Sequence, residues 1–535
     1  DGETDNTANY LLLSAAIPST GAVLYFPTGS YVGELIITEV DNLVIFGDGT
    51  SSKLLGGGAG ENCLELVDCN RVEIRNLWLV GSGDSAAGSV VVDNGIFADS
   101  CTNLTVENCR FTNHGFAGIS MDDCQVVSIM ENTFSDAAGY TSTDSSDIYL
   151  GGSGVLYDYH VGNNVCSSAN AVGINLSPSH TNLDHRRFII ANNVCTGHSR
   201  YGIAAKISLT TSTDDTLKAI SVTGNTVESN GYAGIFLQNV EDSTITFNST
   251  RANGLDGGSI EGGIFTQGCT GISIVGNSSD SEEGNGIRVD GHADYDNRRS
   301  GVTVFGNTVR DVQTAGHAGI FVGTSVEQCS VVANSLQGGS DAAIELDSSG
   351  SVTSYVSISD NAVNGNSTAT SGILVGGSLA NSTAVNNQIS DATAGITVAG
   401  SAVAICRDNF LEDNTTDLVF SGTITDLRQA DNRYRTLSNS ATVSTATFTN
   451  GDSTPSVAGQ AKVRTGSTTP TTISNLDDGV NGQVVFLLFA DNQTTIDFTN
   501  SSMRGNGGSD FLGSTGDYLT CTRIDGIWYC DVVNN

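Results

Sequence analysis

Proline is nearly absent from this chain, with 5 among 535 residues, and charged side chains make up only 15%. Collagen-like and disordered polypeptides need different compositions, so both classes are excluded. Lysine is scarce as well: Lys53, Lys206, Lys218 and Lys462 are the only four, and every other basic residue is arginine. Lys+Arg 22 against Asp+Glu 58 leaves a formal net charge of −36, which argues against nucleic acid or an anionic membrane surface as a partner. An acidic, lysine-poor surface suits saline surroundings, where salt screens like-charge repulsion; an ordinary acidic secreted protein has the same composition. No apolar run is long enough to cross a membrane, the longest being Val484–Ala490. No signal peptide is visible, and the abrupt start at Asp1 leaves room for upstream residues that have been removed. Zinc-type His/Cys spacing and the calcium nonapeptide are both missing, so no cofactor is expected beyond an incidental calcium near Asp477–Asp478.

Helical periodicity is missing too, and glycine, at 64 residues, is too common for an α-solenoid. What the chain has instead is a repeated phrase: an apolar residue, two variable residues, then asparagine. It places asparagine at 132, 164, 193, 225, 248, 277, 307, 334, 361, 387 and 409, at intervals of 32, 29, 32, 23, 29, 30, 27, 27, 26 and 22 residues. That is the period of a solenoid with one coil per repeat. A second phrase, Gly-Ile or its equivalent, runs out of phase from Gly95-Ile96 to Gly395-Ile396 and opens a few residues of strand-like alternation. Asparagine at a fixed place in every coil supplies the hydrogen bonds that buried turn backbone requires. Together the phrases predict a right-handed, single-stranded parallel β-helix of about 12–13 coils. Leu77 and Cys109 stand where the first two asparagines would fall, and the sequons at Asn248 and Asn277 lie on the ladder and should be buried.

Cysteine placement argues for packing. Cys69, Cys101, Cys124 and Cys269 share one place in their coils, and Cys166 and Cys195 share another, as small apolar groups would. Cys521 and Cys530 differ. A two-residue Asp525-Gly526 turn pairs Ile524 with Ile527 and, counting outward, Cys521 with Cys530 in a non-hydrogen-bonded pair within disulfide reach. That bridge implies an oxidising, extracellular setting.

Near the start stand Asp1-Gly2-Glu3-Thr4-Asp5-Asn6-Thr7-Ala8, Phe26-Pro27-Thr28-Gly29-Ser30-Tyr31 and Gly47-Asp48-Gly49. These phrases resemble the pectate-lyase-like β-helix family of viral tailspikes and secreted polysaccharide enzymes. Residues 1–58 then form an N-terminal cap and entry coils, with a helix from about Ala8 to Ile17 capped by Thr4 or Asp5 and strands within 21–29, 35–37 and 43–47. Residues 59–435 form the β-helix and 436–450 a linker. Residues 451–535 resemble a small β-sandwich at the ends of viral fibres and spikes, which implies trimerisation. In that module Trp528 and the Phe/Leu strand read as core or interface. The resemblance implies a homotrimeric virion spike, attached through upstream residues, that binds a host cell-surface polysaccharide or glycoprotein and depolymerises the polysaccharide.

In the resembled family the Gly-Ile sheet carries the substrate groove. With each isoleucine inward, the next residue and the one two beyond it point outward. Those places hold Phe97/Asp99, Asp122, Tyr149, Lys206, Phe236/Gln238, Phe265/Gln267, Arg288/Asp290, Phe321 and Glu345/Asp347. Aromatics beside amides and charges suit a sugar chain; the same phenylalanines would also suit a subunit interface. Long loops containing Tyr157–His160, His180–Arg187 and His292–Arg299 add His185 and His292 as substrate contacts. Glycoside hydrolysis needs two carboxylates, and Asp290 and Asp347, two coils apart, stand at roughly 9–10 Å with Glu345 beside them. Asp99 and Asp122 are a rival pair, and a lyase would draw its base from Lys206, Tyr149, His185 or Arg288. Hydrolase is preferred to lyase; a non-catalytic receptor-binding spike and a free secreted lyase or epimerase are the alternatives.

Overall fold

In the computed structural model the described residues are 7–58, 60–82, 93–135, 145–167, 170–179, 184–207, 216–256, 261–291, 301–312, 315–347, 353–376, 379–380, 382–399, 403–421, 426–430, 432, 437–439, 446–448, 450–457, 460 and 462–534. The chain forms two compact units. One comprises residues 1–397, 405–418 and 429–437; the other comprises 398–404, 419–428 and 438–535. The helix Thr7–Ala16 stands first and buries Tyr10; its expected caps, Thr4 and Asp5, lie outside the described residues.

Each coil contributes one strand to each of three parallel sheets, which among the described residues contain 16, 15 and 16 strands. The fold is a right-handed parallel β-helix. The first coil is complete in Ala22–Phe26, Gly29–Val32 and Leu35–Thr38, within the span read as cap and entry coils, and the solenoid runs to more coils than the repeat count predicted. Early coils escaped that count because they turn without asparagine. At one of these corners Ser52 Oγ accepts from Asp48 N–H at 2.8 Å and donates to Phe26 O at 2.7 Å.

From Asn132 onward the corner is held by the ladder. Each asparagine Oδ1 accepts the backbone N–H of the preceding rung at 2.8–3.1 Å. It also accepts that rung's Nδ2–H at 2.9–3.1 Å. The second Nδ2–H donates to a backbone carbonyl, for example Asn277 to Ile245 O at 2.9 Å. All the donors and lone pairs of the amide are thereby used. Asn432 accepts from Asn409, so the ladder runs one rung beyond its last repeated phrase. A left-handed residue precedes most rungs: Glu131, Asn163, Asn192, Phe247, Ala333, Asp360, Asn386 and Asp408 all have φ between 54° and 59°. Asn248 and Asn277 are buried on the ladder.

The glycine of the Gly-Ile phrase has a steric cause. A Cβ at Gly202 would lie 2.2 Å from Val227 Cγ1, and one at Gly118 would lie 2.5 Å from Phe134 Cδ1. The short-strand sheet thus packs its inward side chains against the backbone that opens the Gly-Ile strand. Ten cysteines are free and buried, with Cys166 opposite Cys195 in register.

The second unit holds a mixed six-stranded sheet in the order Ala446–Thr447, Lys462–Arg464, Val484–Leu488, Tyr518–Ile524, Ile527–Val533, Met503–Gly505. A three-stranded sheet of Thr471–Ile473, Thr494–Ile496 and Phe511–Leu512 shares its core, in which Trp528 is fully buried. The strand at Ala446–Thr447 lies within the span expected to be a linker. Cys521 and Cys530 pair in register beside Ile524 and Ile527 and form a disulfide, with Cα atoms 4.0 Å apart.

Replacing a rung removes an acceptor from two buried donors. Asn277→Ala should destabilise the protein by roughly 2–5 kcal/mol, read by urea unfolding; a change below about 0.5 kcal/mol would show the rung to be dispensable.

Candidate active site

Strand register sets the outward columns of the Gly-Ile sheet. One column carries Phe236, Phe265, Arg288, Phe321 and Glu345 on five successive coils. Beside it run Lys206, Gln238, Gln267 and Asp290. Arg288 is the hub. Its Nε donates to Asp290 Oδ2 at 2.7 Å, and Nη2 lies at the same distance from the same oxygen. Its guanidinium stands 4.6 Å over the Phe321 ring and 5.5 Å from that of Phe265. Asp290 Oδ1 is buried without a hydrogen-bond partner and leans into the space left by Gly323, whose added Cβ would meet it at 2.0 Å. Asp290 is therefore held by Arg288 instead of standing free over the sheet.

Glu345 lies one coil beyond Phe321 and is almost wholly buried. Burial, then the charges of Asp341 and Asp347, push its carboxyl up to about 7, against the pull of Arg288. Burial likewise raises Asp290, opposed by Arg288. Glu261 is raised chiefly by burial, opposed by Arg200, a hydrogen bond from Tyr201 and Arg288. His317 is held below its usual range by burial and by Arg288. The recess thus gathers three carboxyls that resist ionisation and one imidazole that resists protonation around Arg288, with Arg200 as a second cation beside Glu261.

Glu261, His317 and Asp341 were not among the residues expected from strand alternation. Each stands three residues before the isoleucine of its coil, as do Arg200 and Tyr232. That fixed offset is a column at the start of the strands, and it was legible as an offset.

Other expected contacts are displaced. Phe236 and Phe265 are 5% and 4% exposed. They stack on each other at 5.2 Å, and Tyr201 stacks on Phe236 at 4.8 Å with Tyr232 against its edge at 5.7 Å. Covered within one chain, they form the floor of the sheet and offer neither a stacking face nor a subunit interface. Gln238 donates to Gln267 at 2.7 Å. Lys206 lies three coils before Asp290, about 14 Å away, and Tyr149 lies five coils before Arg288, about 24 Å away. Tyr149 packs edge-on against Phe116 at 5.4 Å. Asp99 and Asp122 do face each other in register, and burial, Asp99 and Asp123 push Asp122 up to about 6. That pair is six coils from Asp290, about 29 Å.

His185 is contradicted as a substrate contact. It is 1% exposed, lies in the strand Asp184–Ala191 of a different sheet, and accepts from Leu156 N–H at 3.2 Å. Tyr157–His160 also belongs to a strand, Tyr157–Gly162, where Tyr159 is buried and donates to Cys124 O at 2.6 Å. Alternation of aromatic and charged residues had the look of a polar loop but is a widened strand pair. His292 lies outside the described residues.

A family model described as "Periplasmic copper-binding protein (NosD)" matches residues 92–283, well under half of the chain. No curated protein sequence matches. Among the described residues no group of three or more His, Cys, Asp or Glu side chains is placed so that it could hold a metal ion. Within the matched span His114 lies against Leu79 O, His185 against Leu156 N–H, and His198 between Asp147 and Asn230. Among solved structures the chain is similar to the A-module of Azotobacter vinelandii mannuronan C-5 epimerase AlgE4, with TM-score 0.46, 16% identity, and coverage of 68% of this chain and 92% of that one. An exopolygalacturonase from Thermotoga maritima gives TM-score 0.39, 13% identity, and coverage of 68% and 84%. Tailspike protein 3 of bacteriophage CBA120 gives TM-score 0.39, 12% identity, and coverage of 86% and 63%. These are likenesses of fold.

The Arg288–Asp290 pair has a testable energetic signature. Arg288→Met should cost roughly 3 kcal/mol by stranding a buried carboxylate, and Asp290→Asn in the same chain should recover most of it. Urea unfolding of the single and double variants measures this; equal loss in both would show that the two side chains are uncoupled.

Proposed function

We propose that this chain binds a polysaccharide across its Gly-Ile sheet and cleaves it in the recess around Arg288. The observation that carries the reading is Glu345, a nearly buried carboxyl pushed up to about 7 beside other carboxyls. A carboxyl that keeps its proton near neutrality can protonate a glycosidic oxygen as the bond breaks, while an ionised partner activates water. Glu345 is the proton donor in this reading, Asp347 the base, and Arg288 holds Asp290 and orients substrate hydroxyls. Gln238, Gln267 and Lys206 line the approach. The finer reading, also proposed, is a homotrimeric spike on a virion surface, acting outside the cell in a saline setting. The disulfide of the second unit and the acid surface support the extracellular part. The trimer rests on the sequence resemblance alone.

A second reading draws on His317. A neutral imidazole beside a guanidinium suits β-elimination on a uronate, with Arg288 neutralising the carboxylate and His317 taking the proton.

Incubation with acidic and neutral envelope polysaccharides separates the readings. New reducing ends without unsaturation indicate hydrolysis, absorbance of an unsaturated uronate indicates elimination, and binding without either leaves a recognition spike. For hydrolysis, Glu345→Gln should lower kcat by about a hundredfold or more. The wild-type rate should fall as pH rises through about 7, because the proton needed by the leaving group is lost above the folded-state pKa. Full activity in Glu345→Gln would remove Glu345 from the chemistry.

A further inference from the structure

The outer face of the six-stranded sheet in the second unit differs from the rest of that unit in charge and composition. Alternation sends Val485, Leu487, Leu519 and Trp528 into the core. The opposite face of the same strands would ordinarily be polar, yet it carries Phe486 and Tyr518, stacked at 4.8 Å, and Tyr529, which is 48% exposed. Lys462 lies opposite Phe486 in register with its Nζ 5.7 Å from the ring, and Arg504 lies opposite Tyr529. Residues 438–535 contain four basic and nine acidic side chains. Three of the four cations, Lys462, Arg464 and Arg504, point outward from this sheet, and of the nine acids only Asp531 does. The face therefore carries 3 − 1 = +2 while the remainder carries 1 − 8 = −7.

We propose that this face is a second glycan site, independent of the recess around Arg288, and that its ligand is an anionic polysaccharide bearing carboxylate or sulfate groups. Exposed aromatic rings such as Tyr529 stack on sugar faces, and the cations beside them pair with the ligand's charges. The acidic remainder of the chain repels such a polymer and favours its approach to this face of opposite sign. The site would hold the protein on a charged glycan while the solenoid acts elsewhere along it.

The test uses the full chain on immobilised polygalacturonate, heparin and neutral dextran at near-physiological salt. The wild type should be retained on polygalacturonate, heparin or both, and the pattern identifies the charged group. It should not be retained on dextran. Arg464→Glu combined with Arg504→Glu should weaken retention at least tenfold, and Tyr529→Ser several-fold. Lys218→Glu, a charge reversal on an unrelated face of the solenoid, should leave it unchanged. Absence of retention on both anionic polymers, equal retention on dextran, or an equal loss in Lys218→Glu would overturn the proposal. Sedimentation of the same variants covers the remaining occupant: if their mass falls below that of the wild type, the face joins copies of this chain and the proposal fails.

Discussion

The interaction on which the rest depends is the buried asparagine amide. A solenoid corner takes backbone N–H and carbonyl groups out of water, and each must find a partner. The primary amide meets this need with two donors and one oxygen that accepts twice. Stacked along one corner, from Asn132 to Asn432, each amide saturates itself and its neighbours. A column of this kind tolerates coils of very different length, because only the corner has to repeat. Intervals of 22 to 32 residues between rungs are absorbed elsewhere in the coil.

Fixed register at the corner is what assembles the recess. Arg288, Phe321 and Glu345 come from three successive coils and lie opposite one another only because their strands are aligned. Asp290 reaches its position because Gly323 leaves room for it. The electrostatics follow from this crowding. Asp290 and Glu345 crowd the guanidinium of Arg288 and are largely buried, so burial raises them and Arg288 offsets part of the rise. Surfaces seldom hold acids in this state, and perturbed acids in a recess are the common mark of acid–base chemistry.

Sequence alone carried much of this and failed in identifiable places. The ladder and the Gly-Ile strands were legible because solenoid geometry imposes one residue type at one place. The Cys521–Cys530 bridge was legible because a two-residue turn fixes the pairing that follows it. The first coils fell outside the repeat count because Ser52 and its neighbours hold the corner by other means. Alternation told which side of the sheet Phe236 and Phe265 face, but not that Tyr201 and Tyr232 would cover them. His185 was misplaced because a long strand, paired along its length with Thr216–Thr223, carries the polar residues of a loop. Glu261 and His317 were not legible from strand alternation because each stands three places before its isoleucine, ahead of the strand.

The link between ladder and recess can be measured directly by amide hydrogen exchange in wild type and in Asn307→Ala. Loss of that rung should release protection in the coils above and below, including the strands Ile287–Asp290 and Ile320–Val322 that carry Arg288 and Phe321. Faster exchange confined to residue 307 and its immediate neighbours, with those strands as protected as before, would contradict the dependence of the site on the asparagine column.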